Sequence, residues 1–368
     1  MGRKSCKKNW GSFKLKLVFC TLFDSNYLDK GLAMYRSLRD SCGNYDIYIL
    51  AMDNLCESIL NAYNYQNMTV INLQDFVQAM RLEEAKANRS RGEFCWTCSS
   101  HLIDYVLSHY NEEICTYIDA DLYFYSDPVC LIDEMGERTV QIVEHRFDNS
   151  LAGKTNTTRS GRFCVEFNTF KKDNKSIELL QWWEKQCVNN CSIHNKKSKV
   201  FGDQAYLSGW DNYEYVSILK NLGGGVAPWN IAQYILESDS KDGITLKLRK
   251  TDTTFNLVFY HFHNISYLSD RTVNISVYQR AWRTDEKLVN AIYLPYLKKL
   301  DAIKNEIKEK FDFYPLLCSH PELNKANNKK KLIDRVHSMI EKGVREDYVI
   351  INDMLCEKIN GKKNIITF

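Results

Sequence analysis

The sequence predicts an α/β fold, a mostly parallel sheet with helices packed on its faces. Short apolar runs alternate with helix-period segments through the first part of the chain, and that alternation implies crossover helices between parallel strands. The run Ile114-Cys115-Thr116-Tyr117-Ile118-Asp119-Ala120-Asp121 reads as a buried strand that ends in two carboxylates, at the carboxyl edge where such sheets bind ligands. A length of 368 residues, 44% of them hydrophobic, supplies the core of one large α/β domain with additions, or of two domains.

Residues 1–12 read as a loose basic leader and 15–21 as the first strand. Asp24-Ser25-Asn26 has helix-start chemistry, and the helix after it carries Leu28, Leu32 and Tyr35 on one face. A strand at 46–52, a short helix at 57–63 and a strand at 69–73 continue the alternation. Residues 75–88 read as one polar helix and 89–93 as a charged loop. A helix at 98–108, with Leu102, Tyr105 and Val106 inward, delivers the chain to the central strand. Strands are expected at 139–143 and 163–170. The polar segment 148–161 between them is expected to be a flexible loop that orders over a ligand as lids do. Within it, Gly153-Lys154-Thr155 mimics the end of a phosphate-binding loop, but Asp148 stands where the first glycine is required. A helix at 176–187 carries Trp182 and Trp183 as rim and core, and 258–263 is a late strand with His261 and His263 two residues apart. From about 285 the chain is helical, charged and lysine-rich.

The net charge of +3 gives no general pull toward nucleic acid. The 13 cysteines are odd in number and irregular in spacing, so they imply free thiols in a reducing compartment. Cys95-Trp96-Thr97-Cys98 is the one CxxC; with Cys187, Cys191 and His194 it could share a zinc, but no second CxxC exists and helix-face core cysteines account for them better. No run of about 20 apolar residues is present, and Lys14 and Lys16 interrupt the N-terminal apolar stretch, so a cytoplasmic location is expected. Lys329-Lys330-Lys331 is a solvated face or a patch that meets anionic lipid on the inner face of a membrane.

In extended backbone, Asp119 and Asp121 point to the same side and converge. Two such carboxylates repel unless a cation lies between them. A hard divalent ion, Mg²⁺ or Mn²⁺, suits them and keeps positions open for substrate phosphates. An Asp-x-Asp is also what a plain turn or N-cap uses. The loop at 21–27 lies at another strand's carboxyl end and can share the same site.

Four pieces in this order, residues 21–27, Asp119-Ala120-Asp121, Gly202-Asp203-Gln204 and His261-Phe262-His263, resemble the GT-A glycosyltransferases. The likeness is to the glycogenin- and galactosyltransferase-like family 8 and to related bacterial polysaccharide enzymes, and it covers residues 15–265. Phe167-Asn168-Thr169-Phe170, Phe201-Gly202-Asp203-Gln204 and Ala227-Pro228-Trp229-Asn230 look like the bacterial group in particular. The resemblance implies a GT-A domain at 13–284, a helical C-terminal extension at 285–368, and hexosyl transfer to a surface (capsule) polysaccharide or lipid-linked oligosaccharide. The implied donor is a nucleotide-diphosphate sugar of the uridine type, bridged to the protein by Mn²⁺ or Mg²⁺. Asp119, Asp121 and His261 would be metal ligands, with His263 as second choice. Thr21, Leu22, Tyr27 and Ala120 would border the nucleotide, and Asp203 and Gln204 would lie near the anomeric carbon, with retention of configuration.

One departure stands out. Family 8 usually has an Asn-x-Gly run where this chain has Cys164-Val165-Glu166-Phe167-Asn168, and Glu166 is expected to reach the acceptor or the sugar. Asp203 is also a residue type that caps helices, and His261 one that can sit satisfied in a core. Sugar transfer builds negative charge on the leaving diphosphate, which a divalent metal stabilises without a proton; Arg89, Arg91, Arg146 and Lys154 are further candidate cations. Two rival readings keep the site. Nucleotidyl or phosphoryl transfer lacks a Gly-rich phosphate loop, and a non-catalytic partner in a polysaccharide assembly complex has no use for a self-repelling carboxylate pair.

Overall fold

The computed structural model describes residues 16–192, 201–241, 243–269, 272–277, 284–315, 348–351, 354–357 and 365–367. The basic leader, His194 and Lys329-Lys330-Lys331 lie outside them. The first eight strands are β1 (Leu17–Phe23), β2 (Tyr45–Ala51), β3 (Met68–Asn72), β4 (Ile114–Ile118), β5 (Leu122–Phe124), β6 (Val140–Glu144), β7 (Phe163–Lys171) and β8 (Val216–Ile218). All but β5 form one sheet in the order β3-β2-β1-β4-β7-β6-β8. The pairs β1–β2, β1–β4, β2–β3 and β6–β8 are parallel, and β7 runs antiparallel to both β4 and β6. The expected mostly parallel α/β sheet is therefore what the chain builds.

The helices are α1 (Leu28–Ser41), α2 (Asn54–Tyr63), α3 (Leu73–Met80), α4 (Glu83–Asn88), α5 (Arg91–His109), α6 (Val129–Asp133), α7 (Leu151–Ser160), α8 (Asn174–Asn189) and α9 (Glu286–Phe311). Capping chemistry explains where the expected boundaries move. Ser90 and Glu93 form a capping box, so α5 starts in the segment expected as a charged loop and contains the whole CxxC. Arg81, at φ 55°, breaks the expected single helix at 75–88 into α3 and α4. Ser150 accepts from the Gly153 N–H at 3.1 Å and starts α7, so the segment expected as a flexible loop is a helix.

Alternation along β1 divides the core. Leu17 and Phe19 pack on one face of the sheet with α1 and α9, while Val18, Cys20 and Leu22 pack on the other with α3, α5 and α8. The start of the C-terminal extension thus shares the core of the sheet. Arg36 of α1 holds Glu306 of α9 through two hydrogen bonds, at 2.7 and 2.9 Å. Beyond α8 come an antiparallel sheet of β9 (Tyr234–Ser240), β10 (Gly243–Leu248) and β11 (Thr254–Asn256), then β12 (Phe259–His261), β13 (Ser266–Ser269) and β14 (Thr272–Asn274). The expected late strand ends at His261, and His263 lies in the turn after it. The segment after α9 is not all helix: Ile365–Thr367 pairs with β14. Cys98, Cys187 and Cys191 are buried, and burial pushes the Cys98 and Cys187 thiols well up.

Candidate functional site

The site forms where β4 ends. Asp119 and Asp121 follow that strand, and β5 continues from Leu122. β12 pairs antiparallel with β5 in a register that sets His261 opposite Leu122. Two hydrogen bonds fix this clamp, from the Phe262 N–H to the Asp121 carbonyl at 2.9 Å and from the His261 N–H to the Val226 carbonyl at 2.9 Å. Strand pairing therefore brings together carboxylates and an imidazole that lie far apart in sequence. His261 Nε2 is 3.0 Å from Asp121 Oδ1 and 3.7 Å from Asp119 Oδ2. Asp121, His261 and His263 each offer a ligand atom, and all three atoms lie within 4.8 Å of one another.

Electrostatics reinforce the cluster. Burial works against the charged imidazolium of His261, but the Asp121 carboxylate, with Cys164 and Glu166, outweighs it and raises its pKa well above the ordinary value. Burial would likewise raise Asp121; His261 overcomes it and holds this carboxyl well below the usual range. Asp119 goes the other way. Burial raises it, His261 opposes, and the neighbouring carboxylates Asp121, Asp203 and Glu166 add to the rise. Asp119 is thus the carboxylate whose charge the site disfavours, and a divalent cation beside it would relieve that. Asp119 lies outside the group of three formed by Asp121, His261 and His263, 3.7 Å from His261 Nε2.

The cluster opens into a cavity of about 710 Å³. Leu22 and Tyr27 from the loop after β1, Ala120, Asp203 and Gln204 line it together with Asp119, Asp121, His261 and His263. Two expected residues do not. Thr21 is fully buried within β1 and does not reach the cavity, which the strand meets only at its end, through Leu22 and Phe23. Glu166 does not reach out toward a sugar. It is fully buried behind His261, with Oε2 2.6 Å from the imidazole Nδ1.

Asp203 stands at the N-cap position of a 3₁₀ turn, Gln204–Leu207, but its side chain makes no capping hydrogen bond. Its carboxylate accepts from Ser99 Oγ of α5 at 2.6 Å, and burial pushes its pKa up to about 6 against that bond. The Gln204 side-chain amide donates to the Ser160 carbonyl at the end of α7, at 2.6 Å. The Ala227-Pro228-Trp229-Asn230 run also has a physical role. Asn230 accepts from the Ala227 N–H and donates to the His145 and Gly225 carbonyls. The turn so fixed sets the Trp229 ring in T-shaped contact with both His261 and His263, with centroids at 5.2 and 5.5 Å.

Of the candidate cations, Arg91 lines the cavity and bridges Asp24 at 2.5 Å and Asp53 at 3.1 Å. Arg146 is tied to the carbonyls of Asn221, Leu222 and Gly224, and Arg89 to Thr97 and the Val188 carbonyl. Lys154 is not among the lining residues, whereas Arg159, further along α7, is. Sequence reasoning also missed Lys30. It is buried, with its ammonium 4.4 Å from the centre of the Tyr27 ring. Burial disfavours its charge, but Tyr27, Asp121 and Asp29 restore it and raise its pKa. The available signal was its position three residues after Tyr27, one turn along the helix.

No family model matches the chain. It is 28% identical over 296 residues to the uncharacterized protein YfnD of Bacillus subtilis (strain 168), covering 80% of this chain and 91% of that protein. With the uncharacterized protein YfnF of the same organism it shares 27% over 290 residues, covering 76% and 92%. Similar solved structures include the galactosyltransferase LgtC in complex with donor and acceptor sugar analogues, at a TM-score of 0.48 and 13% identity over 78% of this chain and 96% of that one. Mouse xyloside xylosyltransferase 1 in its apo form has a TM-score of 0.43 and 11% identity, covering 68% and 98%.

Proposed function

We propose that this protein is a metal-dependent GT-A glycosyltransferase that moves a sugar from a nucleoside-diphosphate donor to a surface-polysaccharide or lipid-linked oligosaccharide acceptor. One observation carries the reading. A single cavity joins the Asp119, Asp121, His261 and His263 cluster to the loop after β1 on one side and to Asp203 and Gln204 on the other. That layout provides for three parts of a nucleotide sugar: base and ribose, diphosphate, and hexose.

Leu22 and Tyr27 would border the base and ribose, with Lys30 fixing the Tyr27 ring from behind. Asp119, Asp121, His261 and His263 would hold Mn²⁺ or Mg²⁺. When bound, such an ion supplies a Lewis acid for the charge that develops on the leaving diphosphate. Asp203, fixed by Ser99, and Gln204, fixed by Ser160, would orient the sugar. Trp96, Phe147 and Trp229 add aromatic walls against which sugar rings pack. Among the described residues, no helix is long and apolar enough to cross a membrane. A lipid-linked acceptor would then be met at a membrane surface, with the lysine-rich segments as the contact.

The test is incubation with a panel of nucleotide sugars and Mn²⁺, with and without candidate acceptors. Release of free nucleoside diphosphate supports the proposal. Pyrophosphate release would move the reading to nucleotidyl transfer, and the absence of turnover with every donor to a non-catalytic assembly partner.

A further inference from the structure

We infer that Glu166 is the positioning residue that makes His261 a metal ligand. The inference rests on the metal reading given above and deepens it. β7 runs antiparallel beside β4, pairing Phe167 with Ile118, so Glu166 lies level with the turn that carries Asp119. The Glu166 carbonyl accepts from the Asp119 N–H at 3.2 Å, and its carboxylate Oε2 lies 2.6 Å from His261 Nδ1. One buried residue thus touches both arms of the ligand cluster.

The hydrogen-bond chemistry fixes which imidazole nitrogen faces the site. A carboxylate only accepts, so Nδ1 must be the donor. Nε2 faces Asp121 at 3.0 Å and Asp119 at 3.7 Å; it donates to Asp121 while it carries a proton, and it is the nitrogen from which a cation would displace that proton. A carboxylate behind a ligating histidine also raises the basicity of the ligand nitrogen and fixes the plane of the ring.

The energetic cost of Glu166 points the same way. It is fully buried, and its second oxygen, Oε1, has no hydrogen-bond partner among the described residues. A buried carboxylate in that condition is expensive, and a glutamine or an apolar residue would fill the same space at lower cost. Among the described residues the Glu166 carboxylate is hydrogen-bonded to His261 alone, which is explained if its effect is on His261. Cys164 and Glu166 also lie with His261 in a second, wholly buried group of three possible ligand atoms. If Glu166 were itself a ligand in that group, the cation would occupy the Nδ1 side, and Asp121 would matter little.

The experiment is Mn²⁺ titration of the metal-free protein by calorimetry, for wild type, Glu166→Gln, Glu166→Ala and Asp121→Asn. Uridine diphosphate titrations at saturating Mn²⁺ accompany it. Glu166→Gln keeps the shape and an acceptor for Nδ1–H but removes the charge. It should weaken Mn²⁺ binding about 10-fold, and Glu166→Ala up to about 100-fold. Diphosphate affinity at saturating Mn²⁺ should stay within about twofold of wild type for Glu166→Gln, since loss of basicity alone leaves the loaded site intact. Wild-type Mn²⁺ affinity in Glu166→Gln, together with a loss in Asp121→Asn, would overturn the inference and leave the site reading standing. Loss in the Glu166 variants with none in Asp121→Asn would move the cation to the Cys164 side and overturn it as well. A wild-type protein that binds no Mn²⁺ would remove the site reading itself, and the inference with it.

Discussion

Glu184 gives a prediction that can be worked through in numbers. It lies on α8, which packs on α5, the helix that carries Trp96 and Ser99 into the site. Its Oε1 is buried without a hydrogen-bond partner among the described residues. Burial, with the Asp104 carboxylate of α5 adding to it, lifts the Glu184 carboxyl from 4.5 to about 8. Below pH 4.5 the folded and unfolded chains both hold this proton, and stability does not change with pH through this group. Between there and pH 8 the unfolded chain releases the proton while the folded chain keeps it, so stability falls as pH rises. At about 1.4 kcal/mol per pH unit the full displacement corresponds to about 5 kcal/mol, and the edge that Glu184 keeps in solvent reduces this to on the order of 2–3 kcal/mol. Glu184→Gln removes the titration and keeps the shape. Urea denaturation at pH 5, 6, 7 and 8 should show wild type losing about 2–3 kcal/mol across the range relative to the variant, which should be the more stable protein at pH 8. Parallel pH profiles for the two proteins would refute the reasoning and mean that Glu184 is solvated or paired.

Two further outcomes are expected. Lys304 of α9 and Asp29 of α1 are both buried, 3.4 Å apart, with the ammonium also 3.4 Å from the centre of the Tyr267 ring. Lys304→Met strands the Asp29 carboxylate and should cost about 3–5 kcal/mol in urea denaturation, with Asp29→Asn in the same chain recovering part of it; a loss below about 1 kcal/mol would show that Lys30 alone satisfies Asp29. Gly202 has φ +60°, and an added Cβ would lie 3.4 Å from the Trp96 ring. Gly202→Ala should therefore cost about 1–2 kcal/mol and lower sugar transfer, because Asp203 moves with the strained backbone; unchanged turnover would separate this turn from the donor site.

Patterns with a single cause were legible in the sequence. The i, i+2 geometry of Asp119 and Asp121, the order of the early strands and helices, and the clustering of motif residues in one cavity follow from backbone period and sheet topology. What depends on pairing between distant strands was not legible. Glu166 looked like a residue that faces substrate, because nothing in its neighbours reveals that β7 lies antiparallel beside β4 and turns its side chain toward His261. Thr21 and Leu22 are adjacent, and only how far β1 runs before the cavity opens decides that Leu22 and Phe23 meet it and Thr21 does not. At 148–161 the polar composition masked a helix that Ser150 starts through its bond to the Gly153 N–H. Lys30 was hidden because a charged residue on a helix reads as surface unless its partners are known.

The most direct measurement of the central claim is calorimetric binding of uridine diphosphate to wild type and Asp121→Asn, each with Mn²⁺ and with EDTA. Asp121 is the hub of the site, 3.0 Å from His261 Nε2 and one residue from a second carboxylate. Wild type should bind the diphosphate with Mn²⁺ and not with EDTA. Asp121→Asn, folded to the same melting temperature within a few degrees, should lose about 100-fold in Mn²⁺-dependent affinity. Equal binding in EDTA, or wild-type affinity in Asp121→Asn, would contradict the claim.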